Sequence, residues 1–127
     1  MTRIIAVVLA VILGGNGLFM LGAPLAWYDA VPGVSSTGAF NPHFVRDIGA
    51  AYLVAALGLA WFAWRPAQGW PALTAGALFL TLHSGVHLFD ASCSASPLGD
   101  LIRDFPGVFL PTLLAAGIAF VRRPMES

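Results

Sequence analysis

Charged side chains interrupt this sequence so sparsely that residues 4–28, 48–64, 66–89 and 105–121 form four long stretches without one. An ionised group near the centre of a bilayer is unfavourable, and a helix needs about 20 apolar residues to cross. Each stretch meets that length, or nearly so once an Arg or Asp at its end reaches back to the headgroups. A soluble domain of 127 residues has too much surface for its volume to hide a chain that is 58% hydrophobic and 9% charged. The expected fold is therefore all-α: an integral membrane antiparallel four-helix bundle, with residues 1–127 forming a single domain.

The arginines orient it. Arg3, Arg65, Arg122 and Arg123 flank one side, and Arg46 and Arg103 the other. In short loops that bias places both termini and the Arg65 turn in the cytoplasm. Asp29, Asp47, Asp90, Asp100 and Asp104 make the opposite rim acidic; in a bacterium that rim faces the periplasm or cell exterior and the membrane is the inner one. The first apolar run is too long for the core of a signal peptide and reads as a retained helix. Cys93 is the single cysteine, so no internal disulfide or cysteine-rich redox motif exists. The chain has no lysine, Gly-rich phosphate loop or basic stripe, which excludes nucleotide and nucleic-acid binding.

The first helix is expected over residues 4–28, with Asn16 among Gly14, Gly15 and Gly17. Either this is a packing seam in which the amide finds a partner, or the helix unwinds there to bind something. Gly14, Gly17, Gly58 and Gly76 allow close helix approach, within one bundle or between copies in a homo-oligomer surrounded by membrane lipids. An outer loop covers residues 29–42, and Asn41-Pro42 reads as an N-cap with proline at the first helical position. The second helix runs to Trp64, Arg65-Pro66 and Gln68-Gly69 make the inner turn, and the third helix covers residues 70–89. The outer connection, residues 90–104, contains Leu98, Leu101, Ile102 and Phe105 at spacings suited to an amphipathic turn in the interface. The fourth helix starts near Pro106 and bends at Pro111.

The chemistry-bearing residues gather at one end. His83, His87 and Asp90 are spaced i, i+4 and i+7, within about 60° of one another on a helix. His43 and Asp47, with Arg46 beside them, open the preceding antiparallel helix at the same level. Neutral imidazoles and carboxylates on facing helices would make a divalent transition-metal site from His43, Asp47, His83, His87 and Asp90. Alternatively the same end is a pocket for a quinone or other lipophilic ligand. His43, His87 and Arg46 would then bind its oxygens, and Trp27, Phe40, Phe44, Phe89, Phe105 and Phe109 would wall it. A third reading makes the cluster structural: Arg46 pairs with Asp47 or Asp90 and the network fixes helix register, as in a non-enzymatic assembly subunit. Haem held by axial histidines is a smaller alternative, without a C-x-x-C-H motif. Asp100, Arg103 and Asp104 read as a solvated rim.

The length, the four spans, the segment Phe40-Asn41-Pro42-His43-Phe44-Val45-Arg46-Asp47-Ile48-Gly49 and the segment His83-Ser84-Gly85-Val86-His87-Leu88-Phe89-Asp90 together resemble small four-helix bacterial inner-membrane proteins of the DoxX-like group. That resemblance covers nearly the whole chain. It implies the bundle fold, membrane location and association with a membrane redox partner, and it transfers no catalytic residues.

Overall fold

The computed structural model describes residues 1–123, and in them six α-helices and two short tighter or wider turns build an all-helical bundle. The helices are α1 (Thr2–Gly22), α2 (Pro24–Ala30), α3 (Pro42–Trp64), α4 (Pro66–Ser92), α5 (Pro97–Asp104) and α6 (Leu110–Val121), with a 3-10 turn at Val34–Ser36. A π-helical segment, Phe105–Phe109, joins α5 to α6 without a break, so four helical units are long and apolar enough to cross a membrane. α1 packs along α3, α3 along α4 and α4 along α6, with a lighter α1–α6 contact closing the bundle. Arg122 Nε donates to Thr2 Oγ1 at 3.1 Å, so the start of α1 and the end of α6 lie at the same end. The opposite end carries α2, α5 and the first turn of α3.

The core is narrow and made of Leu9, Leu13, Met20, Tyr52, Leu59, Phe62, Leu73, Leu80 and small residues between them. Ile4, Val11, Leu57, Leu82 and Phe120, by contrast, are each between 65% and 70% exposed. An apolar shell of that kind is unfavourable in water and costs nothing in hydrocarbon. Small residues let the backbones approach: a Cβ on Gly17 would lie 2.7 Å from the Gly49 carbonyl oxygen, and one on Gly58 would lie 2.6 Å from that of Ala72. Gly17 and Gly58 thus serve packing inside one chain.

Three boundaries differ from the sequence expectation. The first helix stops at Gly22, because Pro24 starts α2 at its N1 position after Ala23 leaves helical geometry (φ −139°, ψ 63°). α4 begins at Pro66 rather than Trp70, so Gln68 and Gly69 are helical and Arg65 alone forms the turn. The fourth spanning helix does not start at Pro106 but continues from α5 through the π segment, in which Leu110 N–H bonds the Phe105 carbonyl. The wider turn lies just before Pro111, whose ring would otherwise press on the carbonyl one turn back. The Asn41 cap is as expected: its side chain accepts from the His43 and Phe44 amides at 3.0 and 3.2 Å. So is a satisfied Asn16, which accepts from Trp27 Nε1 at 2.8 Å within an unbroken α1.

Candidate functional site

Phe79, His83 and His87 recur every fourth residue and form a ladder of rings up one side of α4. The His83 and His87 rings meet edge-on at 4.9 Å, and Phe79 stacks on His83 at 5.9 Å. From α3, Tyr52 packs edge-on against both Phe79 (5.5 Å) and His83 (5.6 Å). These separations lie in the range where ring quadrupoles attract. Tyr52 belongs to the buried stripe of α3 with Val45 and Gly49, which fixes its place at the α3–α4 contact.

At the upper end of the ladder His87 meets α5. Its Nδ1 lies 2.8 Å from Asp104 Oδ2, with the side chains 27% and 11% exposed. Arg103 Nε donates to Asp104 Oδ1 at 2.8 Å, and its Nη1 donates to Asp100 Oδ1 at 2.6 Å. The Arg103 guanidinium also covers Gly33, a left-handed residue (φ 85°) at which a Cβ would collide with it. The loop after α2 is thereby seated on the polar face of α5. With Arg103 holding Asp104 as a carboxylate, Asp104 only accepts, so the His87 proton sits on Nδ1 and Nε2 offers a lone pair.

The middle of the ladder is less complete. Among the described residues neither the Tyr52 hydroxyl nor a His83 ring nitrogen makes a hydrogen bond. Yet no fully enclosed side-chain N or O among the described residues lacks a partner, so these atoms keep some surface contact, although Tyr52 as a whole is only 6% exposed. Three polar groups, one on α3 and two on α4, therefore have unused hydrogen-bonding capacity along one line of aromatic rings.

The other expected site residues lie elsewhere. His43 and Asp47 pair with each other at 3.3 Å, their side chains 88% and 62% exposed. On the helical wheel they stand about 160° from Val45, on the far side from the buried stripe. Arg46 Nε donates to the Leu21 carbonyl at 3.3 Å, tying the end of α1 to α3 in place of pairing with Asp47 or Asp90. Asp90 is exposed and makes no ion pair or hydrogen bond with His87, which pairs with Asp104 instead. No three His, Cys, Asp or Glu side chains among the described residues gather closely enough to hold a metal ion. The expected aromatic wall is rearranged too. Phe44, Phe89 and Phe105 are 62%, 68% and 47% exposed on the outer surface, and the rings beside the histidines are Tyr52 and Phe79.

Asp104 and Tyr52 are the two residues that sequence reading does not select. Asp104 sits in a charged triplet with the look of a solvated rim, and only the continuity of α5 with α6 brings it onto α4. Tyr52 lies inside an apolar run, where a single hydroxyl carries little signal. Comparison with protein families, characterised proteins and solved structures finds no match to this chain.

Proposed function

We propose that the chain binds the headgroup of a quinone-class lipophilic ligand at the Tyr52–His83–His87 ladder and serves a membrane redox system. The observation that carries this reading is the open hydrogen-bonding capacity of Tyr52 and His83 beside an anchored His87. An unsatisfied polar group facing hydrocarbon is costly, and a ligand with carbonyl or hydroxyl oxygens satisfies it. Tyr52 donates to one such oxygen, and the His87 Nε2 lone pair accepts from a hydroxyl of the ligand's quinol form, with Asp104 holding the ring in place through Nδ1. The DoxX-like resemblance points to the same class of partner. His43 and Arg46 have no part in this site. The arginine bias supports an inner-membrane orientation with both termini cytoplasmic and the ladder's upper end toward the periplasm.

Binding is measured by titrating the detergent-solubilised chain with a decyl-substituted benzoquinone and following tryptophan fluorescence, alongside mass analysis of lipids extracted with the protein from native membranes. Tyr52→Phe, His83→Phe and His87→Phe are each expected to weaken binding by about two- to tenfold, the range of one neutral hydrogen bond. His43→Ala should bind as the parent does. Unchanged affinity in all three ladder variants would overturn the assignment.

A further inference from the structure

Between α1 and α3, away from the ladder, runs an open groove of about 490 Å³ lined by Val7, Ala10, Gly14, Leu53, Ala60 and Trp64 among other apolar residues. Its volume falls within the roughly 300–1,000 Å³ typical of ligand sites. Its lining follows helical periodicity on both walls, and on both walls the pattern ends in an arginine. Arg3 precedes Val7, Ala10 and Gly14 by four, seven and eleven residues, which places it on the same face of α1. On the other wall Arg65 follows Trp64 directly, with its guanidinium 4.4 Å above the indole ring. Among the described residues neither arginine meets a carboxylate; Arg65 Nη1 reaches only the Gln68 side-chain oxygen, at 3.4 Å.

We infer that this groove holds an acyl chain of an anionic phospholipid whose headgroup lies between Arg3 and Arg65. An apolar channel along the helices with two cations at one mouth has the charge and polarity profile of such a lipid. A second copy of the chain fits less well. Copies share one orientation in a membrane, so pairing through this face would set arginines against arginines, whereas a phosphate neutralises them.

The full chain in mild detergent is titrated with dioleoyl phosphatidylglycerol and with dioleoyl phosphatidylcholine, and bound lipid is counted by native mass spectrometry. The parent protein is expected to prefer the anionic lipid by about ten- to thirtyfold, the attraction of two surface arginines. Arg3→Gln with Arg65→Gln should abolish the preference while leaving phosphatidylcholine binding unchanged. Ala60→Phe, at an exposed position on the groove wall, should displace both lipids, with helical content checked by circular dichroism. Equal binding of the two lipids by the parent, or a preference that survives in the double variant, would overturn the headgroup assignment. Retention of lipid by Ala60→Phe would overturn the acyl-chain assignment, and a parent dimer that Ala60→Phe converts to monomer would show that the groove receives a second copy.

Discussion

A hydroxyl has one proton to give, and Thr112 places its own among three oxygens in the middle of the bundle. Its Oγ1 lies 2.8 Å from Val108 O, 3.2 Å from Leu80 O and 2.8 Å from Ser84 Oγ. When Thr112 donates to a carbonyl, Ser84 donates to Thr112, so the Ser84 hydroxyl joins α4 to α6 only through Thr112, beside the direct Thr112–Leu80 contact. Thr112→Val keeps the shape and strands the Ser84 hydroxyl at a site that is 6% exposed. Its expected loss of stability is about 0.6–1.7 kcal/mol, the range for hydrogen bonds between membrane helices. Adding Ser84→Ala should recover part of that loss, because the stranded donor is gone. Unfolding in mixed micelles measures both, and additive losses would show that the hydroxyls act separately. This link was not legible beforehand, since Ser and Thr are common in spanning helices and 28 residues separate these two. The Asn41 cap was legible because all its parts are adjacent. His87–Asp104 fails the same test of locality: the carboxylates four or fewer residues from a histidine, Asp47 and Asp90, are the ones that periodicity selects.

Where elements meet, small differences in backbone distance decide what each helix contributes. At the α1–α3 crossing a Cβ on Gly49 would lie 2.8 Å from Met20 Cβ and 3.0 Å from Gly17 O, whereas one on Gly14 would meet Ala56 Cβ at an ordinary 3.5 Å. Gly49→Ala is therefore expected to destabilise the bundle by about 1–3 kcal/mol through overpacking, and Gly14→Ala to stay within about 0.5 kcal/mol of the parent. Thermal unfolding in the same detergent compares them, and equal midpoints would refute the close crossing. The four spanning units were readable from charge-free length because lipid imposes that length directly. The break at Ala23 was not, since proline is tolerated within membrane helices. Tertiary contact accounts for it: in a continuous helix Asn16 and Trp27 would stand about 16 Å apart along the axis, and their 2.8 Å hydrogen bond requires the chain to turn between them.

For the whole molecule, the two ends differ in what their arginines do. At the ladder end, Arg103 is held by Asp100 and Asp104, and Arg46 is bound to the end of α1. At the end where the termini meet, Arg3 and Arg65 have no carboxylate partner among the described residues. Among the described residues Arg3 and Arg65 thus differ from Arg103 in lacking an acidic partner, and they lie at the end that the proposed orientation puts in the cytoplasm. Cys93 offers a native probe of that orientation, being the single cysteine of the chain, exposed, and just past α4 at the ladder end. A membrane-impermeant maleimide applied to intact spheroplasts is expected to label Cys93 without permeabilisation. In a Cys93→Ser background, Gln68→Cys, exposed beside the Arg65 turn, should be labelled only after the membrane is opened. The reverse pattern would invert the molecule, place the ladder's upper end in the cytoplasm, and leave the fold and its internal contacts unchanged.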